Sequence, residues 1–211
     1  YTPRGGWAGL GLAVGQSVLL FAVMSALVTP FHRLLQRFTT IGPHERTLLY
    51  PVALFLLLWL AHAVFNRLRL KHVGFSPLSF PLYFANGALI GGGTFVIAIW
   101  ITTRLAGGAL QFLPLDTPTA TLLPPVAKAW ETAFSEEFLF RGFLLVALLR
   151  RRFRAAVALS FVTAVFVAAH FTVDPRWLPA VAGMGLFLGS LYLSTRSIWA
   201  PVGAHVAINL A

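Results

Sequence analysis

ETAFSEEFLFRGFLLVALL, residues 131–149, decides how this chain is read. The chain has six acidic residues, and three of them (Glu131, Glu136 and Glu137) fall within this stretch. The residues around them are as apolar as a membrane helix. An ionised side chain at the centre of such a helix costs about 2.5–3.5 kcal/mol on insertion scales, and adjacent carboxylates add repulsion. Ionisable groups in that setting are candidates for function.

The composition fixes the solvent. Of 211 residues, 58% are hydrophobic and 10% charged, with a mean hydropathy of +0.80. Soluble domains carry about 25% charged residues, so this chain is expected to sit in lipid. A net charge of +10 and a pI near 11.5 suggest nucleic acid in a soluble protein. Here most Lys and Arg cluster between apolar runs, as in the loops of polytopic membrane proteins, so membrane lipids and no nucleic acid are the expected partners. The absence of cysteine excludes disulfides, thiolate metal sites and a cysteine nucleophile.

Working outward, apolar runs are expected as helices at Trp7–Thr29, Leu48–Asn66 and Leu82–Thr103. Between the first two, Arg33, Arg37 and Arg46 mix with Phe and Leu in an interfacial stretch. Residues 104–124, with Gly107, Gly108, Pro114, Pro118 and Pro124, form a loop. A helix from Pro125 carries the opening stretch and stops at the basic cluster Arg150–Arg154. Ala155–Phe171, Trp177–Leu193 and Ser197–Leu210 follow. The fold class expected is an all-α polytopic membrane protein in one domain, residues 1–211. It is a bundle of about seven transmembrane helices, eight when complete, around a buried polar cavity. Tyr1 at the start and a short last helix give the expectation that the chain is clipped at both ends. The pairs Gly11/Gly15, Gly87/Gly91 and Gly185/Gly189 would let helices approach closely. Alternating loops place nine positive residues on the side of the N-terminus and five or six opposite, which predicts a cytoplasmic N-terminus.

Within the opening stretch, spacing divides the carboxylates. Glu137 precedes Arg141 by four positions, the favourable order for an ion pair on one helix face. Glu136 points about 100° away and has no partner on its own helix. It is therefore free to act, while Glu137 is tied down. Glu131 pairs with Lys128 near the helix start. Of six histidines, His32, His44, His72 and His62 fall in loops or at a span end. His170 closes FVAAH one turn after Phe166, and His205 opens HVAIN one turn before Asn209.

A carboxylate and a neutral imidazole sharing a water make a general-base pair. A His/Asn pair one turn apart offers two donors to a developing oxyanion. Together these support hydrolysis of an acyl bond. No G-x-S-x-G is present, which argues against a serine hydrolase, and no H-E-x-x-H, which excludes a zincin by motif.

E-E-x-x-x-R (EEFLFR), F-x-x-x-H (FVAAH) and H-x-x-x-N (HVAIN) occur in that order on three helix regions. Each motif is weak alone, but the ordered set is specific. It resembles the CPBP family of intramembrane proteases, which includes type II CAAX prenyl endopeptidases and bacteriocin-processing or immunity proteins. The resemblance covers residues 131–209. It implies Glu136 as the water-activating carboxylate with His170 as partner, an oxyanion site at His205 and Asn209, and supporting roles for Glu137, Arg141 and Phe166. It also implies a peptide or protein substrate, lipidated or not. The localisation expected is multi-pass, in a bacterial or archaeal plasma membrane. No cofactor or metal is expected. Three alternatives stand beside this reading: a non-catalytic immunity or scaffold protein of the same fold; a zinc-dependent protease with Glu136, His170 and His205 as ligands; and a transporter with a proton relay.

Overall fold

The computed structural model describes residues 70–109, 119–170 and 174–211, with Gly11 and Gly15. The spans expected at Trp7–Thr29 and Leu48–Asn66 lie outside the described residues, apart from those two glycines. Among the described residues all regular structure is helical. Helix α1 runs Phe80–Leu105, α2 Thr119–Glu137, α3 Val146–Arg150, α4 Ala155–Ala169, α5 Leu178–Thr195 and α6 Trp199–Leu210. A π-helical segment, Phe138–Leu145, joins α2 to α3, so the chain is helical from Thr119 to Arg150 without a break.

Among the described residues, two helical stretches are long and apolar enough to cross a membrane: Pro77–Leu105, 29 residues, and Pro175–Thr195, 21 residues. Helix α4 is apolar but shorter. The expected third span lies inside α1. A proline in its first turn, whose missing N–H has no intrahelical partner to lose, starts it, and Gly107 (φ +75°) stops it. At the stop, Gly107 N–H and Gly108 N–H donate to the carbonyls of Arg104 and Thr103, at 3.0 and 2.8 Å.

The start expected at Pro125 is corrected. Helix α2 begins at Thr119 and carries Pro124 and Pro125 inside it. Each proline removes one backbone donor, which weakens the first turns without breaking them.

Packing follows the small residues. Helices α1 and α6 run parallel and make the most extensive contact between described elements. Gly87 lies against Ala200 and Gly91 against Ala204, so tightly that a Cβ at either glycine would collide with the α6 backbone. Helices α4 and α5 form an antiparallel hairpin in which Gly185 faces Thr163 and Phe166, and Gly189 faces Leu159. At the far tip of that hairpin, Asp174 accepts from the Arg176 backbone N–H (3.0 Å) and pairs with its guanidinium (2.7 Å). The Arg176 side chain holds this exposed carboxyl below its ordinary range.

The π segment packs against α4. All eight of its residues are buried, including Arg141. Phe134, Phe138, Phe140, Phe143 and Phe166 belong to the core around it.

Candidate active site

Glu137, at the last position of α2, and Arg141, in the π segment, form the ion pair that their spacing suggests. Arg141 Nη1 donates to Glu137 Oε1 at 2.7 Å, with side-chain exposures of 1% and 0%. Desolvation opposes a buried pair of this kind, so contacts to its other atoms matter. Two further contacts hold Arg141, while its Nε and Glu137 Oε2 have no hydrogen-bond partner among the described residues. Arg141 Nη2 donates to the Gly185 carbonyl at 3.0 Å. Its guanidinium stacks over the Phe166 ring at 4.8 Å from the centroid. The absence of a side chain at Gly185 lets α5 bring that carbonyl in against α4 and the π segment.

Helix α6 brings His205 to the same carboxylate. His205 Nδ1 lies 2.9 Å from Glu137 Oε1, and His205 is 2% exposed. An ionised carboxylate only accepts, so Nδ1 carries the proton and donates. That leaves Nε2 facing Glu136 Oε2 at 4.0 Å. For Nε2 to donate as well, the ring must be the imidazolium.

Glu136 differs from its neighbour. Its side chain is 27% exposed, yet its Oε2 is buried with no hydrogen-bond partner among the described residues. Both His205 and His170 lie within electrostatic reach of it. His170 follows the last residue of α4. Its Nδ1 is 2.7 Å from the Phe166 carbonyl, which can only accept, so Nδ1–H donates and Nε2 is left with a lone pair. The Phe166 ring packs against the His170 imidazole at 4.6 Å and edge-on to Phe140 at 5.0 Å. Phe166 thus touches both Arg141 and His170.

The structure therefore gathers Glu136, Glu137, Arg141 and His205 into one cluster, with Phe166 and His170 beside it. Asn209 stands apart. It is exposed in the last turn of α6, and the hydrogen bonds of the cluster do not reach it. Lys128 and Glu131 pair at 3.2 Å on the exposed face of α2, as their spacing suggests.

Sequence reasoning missed four features. The His205–Glu137 bond joins residues 68 positions apart. The Gly185 carbonyl is a backbone group with no sequence signal beyond the small pair Gly185/Gly189. Thr163 is buried beside Gly185, with an unpartnered hydroxyl. The π turn places one extra residue in the helix directly after the glutamates, a distortion often found at functional sites. Among the described residues no three His, Asp or Glu side chains converge as a metal-ligand group.

This arrangement defines a class: a helical membrane protein with a buried carboxylate–imidazole–guanidinium cluster and one carboxylate left accessible. Comparison with known families gives the particular relationship. Residues 118–211 match the family model described as type II CAAX prenyl endopeptidase Rce1-like, in agreement with the resemblance carried by the three motifs. The matched segment contains every residue of the cluster and stops short of α1. That family is one of membrane-embedded CAAX-type proteases, which are hydrolases. No curated protein and no solved structure matches the chain.

Proposed function

We propose that the protein is an intramembrane endopeptidase in which Glu136, with His170, activates a water that attacks a peptide carbonyl near the membrane surface. The observation that carries this reading is the contrast between the adjacent glutamates. Both leave Oε2 without a partner among the described residues, but Glu137 is fully buried with its Oε1 held by Arg141 and His205, whereas the Glu136 side chain keeps access from outside. A carboxylate oxygen in that position can take a proton from water. The His170 Nε2 lone pair, oriented by the Phe166 carbonyl, provides a second acceptor for the same water.

The water oxygen bonds to the carbonyl carbon as its proton passes to the Glu136/His170 pair. His205 Nε2–H, backed by Glu137, and the Asn209 amide then stabilise the oxyanion. Collapse breaks the C–N bond, and the proton held by the pair is returned to the leaving amine. Asn209 needs to turn toward the substrate for this role, since it is exposed in the free protein. The substrate is a peptide or protein that reaches the site from the bilayer, with or without a prenyl group.

The experiment is cleavage of a fluorogenic peptide panel, each sequence made with and without a prenylated cysteine, by the purified full chain. Hydrolysis of at least one member supports the reading. Failure to cut any member, while the protein is folded and inserted, favours the non-catalytic immunity or scaffold reading.

The chemistry as written needs no metal. Stripping with EDTA or phenanthroline, followed by dialysis and metal analysis, is expected to leave full cleavage at sub-stoichiometric metal. Loss of cleavage that zinc alone restores would turn Glu136, His170 and His205 into ligands.

A further inference from the structure

A cavity of about 270 Å³ opens at the end of the molecule where α3 and α5 finish. It is lined by His72, Gly74, Val146, Leu149, Arg150, Tyr192 and Arg196. It is separate from the glutamate cluster, since Arg150 lies nine positions beyond Arg141, roughly 10–15 Å along the helix. Two devices build it. Gly74, at φ +73°, packs so closely on the Arg196 carbonyl that no side chain fits there. Its own carbonyl accepts from Ile198 N–H at 3.3 Å, and the Ser76 carbonyl accepts from the Trp199 indole at 3.0 Å. Arg196 turns out of α5 in the left-handed region, φ 54°, which ends the helix beside the cavity.

We infer that this cavity binds the phosphate headgroup of an anionic membrane phospholipid. Arg150, the last residue of α3, and Arg196, just past the end of α5, are both exposed, a pair suited to gripping phosphate oxygens from two sides. Tyr192 and His72 add polar groups to the wall, while Val146 and Leu149 supply an apolar side. No acidic residue stands in the segments that frame it, residues 70–79, 150–154 and 195–198, whereas Arg151, Arg152 and Arg154 lie in the adjoining turn. Basic pockets between membrane helices at the cationic face are where anionic headgroups collect. The volume is below the roughly 300–1,000 Å³ of drug-sized sites, so it takes a headgroup and leaves the acyl chains outside. The inference rests on the membrane placement and not on the cleavage chemistry, so its failure leaves the tests of Glu136 untouched.

The test is a melting-temperature titration of the purified full chain in a neutral detergent. The probes are dioctanoyl phosphatidylglycerol, dioctanoyl phosphatidylcholine and inorganic phosphate. Phosphatidylglycerol is expected to raise the melting temperature saturably, while the other two leave it unchanged at the same concentrations. In the variant Arg150→Gln with Arg196→Asn, half-saturation is expected to rise at least about tenfold; Asn is chosen because it tolerates the left-handed backbone. The control Arg152→Gln with Arg154→Gln should shift it less than about twofold. If the double variant does not fold, Arg150→Gln alone, at an exposed helix end, is expected to weaken binding at least about threefold. Equal titration curves for wild type and the cavity variant overturn the inference. So does an equal stabilisation by inorganic phosphate, which would make this a free-anion site.

Discussion

Helix α1 and the π segment are both apolar in sequence, and they lie in opposite environments. In α1 only Gly87 and Gly91 are buried, while Leu89, Ile97 and Trp100 are at least half exposed. In Phe138–Leu145 every residue is buried, and the largest fully buried side chain of the described residues is Arg141. In a membrane, hydropathy does not separate the lipid face from the interior, because lipid is as apolar as a protein core. Where helices touch closely, as at Gly87 and Gly91, small residues permit it, and ionisable residues mark what the interior is for.

The sharpest way to break this comparison is Arg141→Ala. It leaves Glu137 buried without its cation, so stability should fall by about 3–5 kcal/mol. A melting curve in detergent checks this, and a shift within error would mean that the cluster is not holding the bundle. A smaller loss is expected at the helix contact. Gly91→Val drives a side chain into the Ala204 backbone and should cost about 1–3 kcal/mol. Smallest is Gly93→Ala, two positions on, where a Cβ meets nothing within 4 Å. It should leave stability unchanged or raise it by up to about 1 kcal/mol through helix propensity. Equal effects at Gly91 and Gly93 would show that the α1–α6 contact does not determine packing.

These same residues show what was legible beforehand. Leu82–Thr103 falls inside α1, and the Gly87/Gly91 and Gly185/Gly189 pairs lie at helix contacts, whereas a Cβ at Gly11 or Gly15 meets nothing within 4 Å, so that expected contact is not made among the described residues. The Glu137–Arg141 pair was legible because its members stand one turn apart. Pro124 and Pro125 look like a helix boundary in the sequence, although α2 continues back to Thr119. The π turn leaves no mark in FLFRGFLL that an α-helix would not also leave. His205 was paired in sequence with Asn209, its neighbour one turn on, while its observed partner is Glu137 on another helix. Contacts between helices depend on rotation and crossing, which spacing along one helix does not encode. The first two expected spans fall outside the described residues, so the bundle of seven remains an expectation from hydropathy.

The central claim is that adjacent glutamates have divided labour, and Glu136→Gln tests it most directly when cleavage and melting are measured on the same preparation. The account predicts a turnover loss of about 100-fold or more, the scale of general-base catalysis, with the melting temperature within about 2 °C of wild type. A folded Glu136→Gln protein that cleaves at the wild-type rate would contradict it.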